Sequence, residues 1–71
     1  MKPAELREKT DGELNELETE LREELFRLRM KHFTGQLQRV TDLKEKRRDI
    51  ARIRTILRER ELAEAQAQGA E

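Results

Sequence analysis

Cysteine, tyrosine and tryptophan are absent from this chain of 71 residues, proline occurs once and glycine three times. Without thiols there is no disulfide scaffold and no thiolate metal site. No apolar run approaches the roughly 18 residues that a membrane-spanning helix needs. Pro3 to Glu8 holds only Ala4 and Leu6 as apolar side chains, too few for the core of a secretory signal. The expected location is the cytoplasm, with no membrane partner. His32 is the only histidine, and no second histidine stands at a metal-ligand spacing from it. Its expected place is an exposed helix C-terminus. With glycines only at positions 12, 35 and 69, no glycine-rich phosphate loop is formed. The carboxylates fall on helix surfaces without a cleft to perturb them. No catalytic residue, metal, cofactor or small-molecule substrate is therefore expected.

What is abundant is charge: 45% of the residues are charged against 34% apolar. So short a chain makes one small domain and buries little apolar area, which favours support from an outside surface. The formal net charge of +0 conceals a division along the chain. Residues 4–24 hold three basic residues against nine acidic ones, a balance of −6, whereas residues 27–60 hold twelve against four, a balance of +8. The molecule is expected to be strongly polarised.

The apolar spacing predicts helices. Pro3 suits a first helical turn, and residues 3–9 are expected to form a short opening helix. Thr10-Asp11-Gly12-Glu13 fits a capping box, in which Thr10 accepts from the Glu13 amide and Glu13 reaches back. From there Leu14, Leu17, Leu21, Leu25 and Leu28 recur at spacings of three and four, one seam of a helix over 11–33. Thr34-Gly35-Gln36 breaks the pattern, and Gly35 can take the left-handed conformation that ends helices. Val40, Leu43, Lys46, Ile50, Ile53 and Leu57 then mark a second long helix over 40–61. If the chain doubles back at Gly35 and Gln36, facing residues have constant position sums. Leu28 with Leu43, Leu21 with Ile50 and Leu14 with Leu57 each sum to 71, and Leu17 with Ile53 to 70. Leu25 meets Lys46 in this register, with the lysine stem packing and its ammonium reaching water. The expected architecture is all-α: residues 1–62 form a single domain, an antiparallel two-helix hairpin with a short N-terminal helix. Residues 63–71 have no seam and are expected to be a disordered acidic tail.

At about 100° per residue, Arg54, Arg47, Arg58, Lys44, Arg48 and Arg52 fill one arc, roughly 40° to 200° from Ile50. Asp42, Asp49 and Glu45 fall on the other side, with Glu59, near the end of the helix, as the exception. A charged helix face is often merely solvated, but six cations in one arc, five of them arginine, form a positive strip suited to a polyanion. Arginine forks hold phosphate oxygens two at a time. With few aromatics for base stacking and no recognition-helix motif, folded RNA read by backbone and shape fits better than DNA. On the first long helix, Phe26, Met30 and Phe33 share a face about 140° from the seam. Either Phe33, with Met30, caps the hairpin end beneath Val40 and Leu37, or Phe26 and Met30 present an anchor to another surface.

Four stretches carry a resemblance: Glu5-Leu6-Arg7-Glu8-Lys9-Thr10, Glu24-Leu25-Phe26-Arg27-Leu28-Arg29, Thr34-Gly35-Gln36-Leu37, and Arg47-Arg48-Asp49-Ile50-Ala51-Arg52-Ile53. Together they resemble the ribosomal protein L twenty-nine family of the bacterial large subunit, over residues 2 to about 60 without gaps. The resemblance implies a helical hairpin bound to large-subunit ribosomal RNA near the polypeptide exit tunnel, beside ribosomal protein L twenty-three, where targeting and folding factors dock. Lys44, Arg47, Arg48 and Arg52 match the family's basic run and are the implied phosphate contacts. Gly35, Gln36 and Leu37 match its turn. Lys46 and the acidic first helix depart from the family pattern.

The reading that follows is a structural constituent of the large subunit, not an enzyme, with Lys44, Arg47, Arg48, Arg52, Arg54 and Arg58 facing RNA phosphates. Phe26, Met30 and Phe33 are the candidate protein contact. The rival is a homodimeric antiparallel coiled coil that pairs through its leucine seam and ignores RNA. A small helical enzyme of the chorismate mutase kind requires inward-facing cations, and only Lys46 points along the seam.

Overall fold

The computed structural model describes residues 1–37 and 39–69, with side chains through residue 67. Helix α1 spans Pro3–Arg7, α2 spans Asp11–Phe33 and α3 spans Thr41–Gly69. The described residues contain no strand. Helices α2 and α3 pack side by side along their length, and α1 packs against α3, in a rod of 56 × 19 × 17 Å.

Local chemistry accounts for each boundary. Thr10 is the N-cap of α2, extended, and its Oγ1 accepts from the Glu13 amide at 3.2 Å. The return contact differs from the expected box: the Thr10 hydroxyl itself donates to Glu13 Oε1, at 3.2 Å. At the far end Gly35 has φ of 78°, its amide donates to the His32 carbonyl at 3.1 Å, and the Gln36 amide donates to Lys31 at 2.8 Å. That pairing is a Schellman motif, which satisfies carbonyls the helix itself leaves open and needs the left-handed residue that glycine supplies. The short helix ends at Arg7, two residues earlier than expected, because the Lys9 amide turns back to Leu6 and Thr10 leaves in extended conformation.

The core is the expected seam with two additions. Leu14, Leu21, Leu25, Leu43, Ile50 and Ile53 are buried, with Leu17, Leu28 and Leu57 partly so. Leu6, 1% exposed, and Ile56 are buried as well. Helix α1 lies across α3, and its Pro3 and Arg7 line a cleft with Ile56. Val40 departs from the seam: it is half exposed, because it precedes the first turn of α3. Each long helix spends its leucine face on the other within one chain, which leaves no leucine seam for a second copy.

Helix α3 runs to Gly69, past the expected end at 61. Residues expected in a disordered tail from 63 onward are helical as far as Gly69; residues 70 and 71 lie outside the described residues. The segment after Leu62 alternates Ala, Glu and Gln, all strong helix formers, so backbone propensity continues a helix that no longer has a packing partner. No described helix is long and apolar enough to cross a membrane.

Candidate nucleic-acid interface

In an antiparallel pair the same angular direction on each helix points to the same side of the hairpin. The ion pairs trace the two sides. Arg54 of α3 meets Glu18 of α2 at 3.3 Å on one, and Lys46 of α3 meets Glu24 of α2 at 2.6 Å on the other.

The first side carries most of the predicted strip. Lys44, Arg47, Arg48, Arg54 and Arg58 are all exposed, and Arg48, at the outer margin of the strip, also lines a cleft with Met1, Glu45, Asp49 and Arg52. Lys44, Arg47, Arg48 and Arg58 have no carboxylate partner among the described residues, while Arg54 is engaged by Glu18. Arg52 is exposed too but turned to the edge where the N-terminus lies. It donates to the Met1 carbonyl at 2.9 Å and pairs with Asp49 at 3.3 Å. Asp49 in turn lies 3.5 Å from the Met1 ammonium. Arg52 therefore fastens the start of α1 to α3, a contact between residues 1 and 52 that helix periodicity does not register.

Two arginines of α2 belong to this side and were not read from the sequence. Arg22 and Arg29 line a groove with Arg47, Leu25 and Ile50. The signal was available: the angular map applied to α3 places Arg22 and Arg29 about 80° to 100° from the α2 seam. Reading α2 as the acidic helix hid them. Arg60 was also missed. Its guanidinium donates to the Asp11 carboxylate and to the Arg7 and Lys9 carbonyls, the latter two at 3.1 and 2.8 Å. It clamps the α1–α2 junction onto α3 and is structural.

The second side is charge-balanced. Lys46 lies in a groove with Glu24, Leu28, Asp42 and Glu45, and its hydrogen bond to Glu24, partly opposed by desolvation, holds its pKa above the ordinary 10.5. The expected packed stem is present, but the ammonium ends on a carboxylate rather than in open water.

Phe26, Met30 and Phe33 are 64%, 49% and 87% exposed, so Phe33 and Met30 do not cap the hairpin end. Phe33 closes the last turn of α2, and Leu37 packs on the core without it. The three form an apolar edge along α2, next to the arginine side. His32 is exposed in the last turn of α2. Among the described residues no group of three or more His, Cys, Asp or Glu is placed to hold a metal ion.

Known proteins resemble this chain over most of its length. Residues 4–60 match the model of the family described as Ribosomal L29 protein. A "Large ribosomal subunit protein uL29" from Carboxydothermus hydrogenoformans is 56% identical over 63 residues, covering 89% of this chain and 91% of that protein. A protein of the same description from Pseudothermotoga lettingae is 55% identical over 62 residues, covering 87% and 94%. One from Geobacillus stearothermophilus is 49% identical over 63 residues, covering 89% and 96%.

Proposed function

Since the chain belongs to the ribosomal L29 protein family, a family of structural ribosome components rather than enzymes, we propose that it binds large-subunit ribosomal RNA through the arginine side of its hairpin. It is a component of the large ribosomal subunit. The observation that carries the RNA reading is the partnerless set Lys44, Arg47, Arg48 and Arg58, exposed on one side of α3. Their own carboxylates are elsewhere, so the charges are free for phosphates, whose condensed counterions they displace. Arg54 joins them by exchanging Glu18 for phosphate, and Arg52 contributes from the edge where it holds the N-terminus.

Family resemblance supports a position near the polypeptide exit tunnel beside ribosomal protein L twenty-three, with targeting and folding factors as further neighbours. The exposed edge of Phe26, Met30 and Phe33 supports a protein contact there, because a contiguous apolar edge beside a charged face is the surface a neighbouring protein covers. RNA on the broad side and protein on the α2 edge divide the rod between two partners.

The test is sedimentation of a native lysate on a density gradient at moderate salt. The protein is expected to migrate with the large subunit, to survive a moderate salt wash, and to be released by nuclease. Recovery only in light fractions would overturn the reading.

A further inference from the structure

The hairpin has a groove between α2 and α3 on each broad side, and the two differ in charge. On the balanced side Glu24, Asp42 and Glu45 stand against Arg27, Lys31 and Lys46. On the arginine side, Arg22 and Arg29 of α2 and Arg47 of α3 surround Leu25 and Ile50 in a groove of about 210 Å³, and no carboxylate lines it.

Among the described residues these three charges are offset only in part, by a carboxylate that Arg22 shares. Arg22 reaches Glu18 Oε1 at 2.9 Å, but that oxygen also takes Arg54 at 3.3 Å, so one carboxylate serves two arginines. Arg29 and Arg47 have no ion-pair or side-chain hydrogen-bond partner among the described residues. Like charges held beside one groove repel and weaken the fold unless an anion enters. The floor is apolar, since Leu25 and Ile50 are both buried, so an anion seated there is less screened than on open surface.

We infer that Arg22, Arg29 and Arg47 together hold a stretch of RNA phosphodiester backbone, which makes α2 an RNA-contacting element alongside α3. The inference rests on the RNA-binding reading and extends it to the helix whose overall charge is acidic. A protein side chain is the competing occupant, but one carboxylate leaves most of the positive charge uncompensated. RNA backbone supplies consecutive phosphates, each suited to a guanidinium fork. The inference also explains why two arginines of an acid-rich helix face the side on which α3 gathers its own.

The experiment measures binding of the full-length chain to protein-free large-subunit ribosomal RNA over a range of salt concentrations, with Arg29→Gln, Arg47→Gln, the double variant, and Arg58→Gln from outside the groove. Glutamine keeps helix propensity, and circular dichroism checks that each variant is folded. Arg29→Gln is expected to weaken binding about tenfold and to lower the salt slope by about one. The double variant is expected to lose less than the product of the singles, because both side chains grip the same stretch. If Arg58→Gln weakens binding and Arg29→Gln does not, the groove assignment is wrong and RNA binding by α3 stands. If neither weakens it, the RNA reading falls with the inference. Normal RNA affinity of Arg29→Gln combined with failure to enter the subunit would assign the groove to a neighbouring protein and overturn the inference.

Discussion

Lys46 shows how one residue departs from a seam without breaking it. It occupies the rung opposite Leu25, where an apolar side chain is expected, and resolves the conflict by length: the stem lies in the groove beside Leu28 while Nζ reaches Glu24 at 2.6 Å. The Glu24 hydrogen bond raises its pKa above 10.5. A raised pKa means that the folded chain holds the proton more tightly than the unfolded chain. The contribution is therefore complete below the unfolded value near 10.5 and is lost as pH rises through the folded value. With the two side chains 31% and 44% exposed, water screens the pair, and its worth is about 0.5 kcal/mol. Lys46→Met keeps the stem and removes the charge. Its stability at neutral pH is expected to lie within about 1 kcal/mol of the parent chain. The small advantage of lysine should fade in alkaline solution, as read from urea unfolding at about pH 7 and about pH 11. An advantage that persists unchanged at the higher pH would mean that the ammonium contributes nothing.

At the scale of elements, what was legible follows from length. Helix α2 has 23 residues and its seam carries five leucines at helical spacing, so its bounds at Asp11 and Phe33, its cap at Thr10 and its stop at Gly35 could all be read from the residues. Helix α1 has five residues, too few to display a period, and its single leucine gave no sign that it enters the core. Ile56 was overlooked for the matching reason: it lies about 120° from Ile50 around α3, off the seam, and is apolar because α1 rather than α2 covers it. Both omissions concern the part of the core that forms where α1 packs on α3. Leu6→Ala is accordingly expected to cost about 2–3 kcal/mol in urea unfolding, as for other fully buried leucines, and to speed amide exchange in α1 before α2. A loss under about 1 kcal/mol would show that α1 rests on α3 mainly through Arg52 and Arg60. The far end of α3 misled in the opposite way. Loss of the apolar pattern after Leu62 marks the end of packing, whereas helix ends are decided by propensity and caps, and Ala, Glu and Gln continue the backbone pattern unaided.

For the whole molecule the decisive property is distribution of charge, since the sum is +0. The strip on α3 was legible because one helix map separates Lys44, Arg47 and Arg58 from Asp42 and Asp49. Its continuation across Arg22 and Arg29 required knowing how the two helices face each other, and the diversion of Arg52 to Met1 required a contact across 51 positions. If distribution governs binding, it can be inverted without changing the net charge. Arg47→Glu and Arg58→Glu reverse two partnerless cations on the arginine side. Glu16→Arg and Glu20→Arg compensate on the far side of α2, where both glutamates are exposed and unpaired among the described residues. All four positions are exposed, only Arg47 borders core side chains, and Glu and Arg have similar helix propensities, so thermal unfolding is expected to shift little. The four-fold variant should nevertheless fail to enter the large subunit. The pair Glu16→Arg and Glu20→Arg alone, which raises the net charge by four, should enter at normal occupancy, because it leaves the proposed RNA-binding side unchanged. Free entry of the four-fold variant on a density gradient would show that incorporation depends on shape and apolar contact, with the arginine side merely solvated. Exclusion of the four-fold variant with acceptance of the pair has only one electrostatic reading: the subunit meets this rod on one side, and the acidic half of its sequence keeps the other side clear of phosphate.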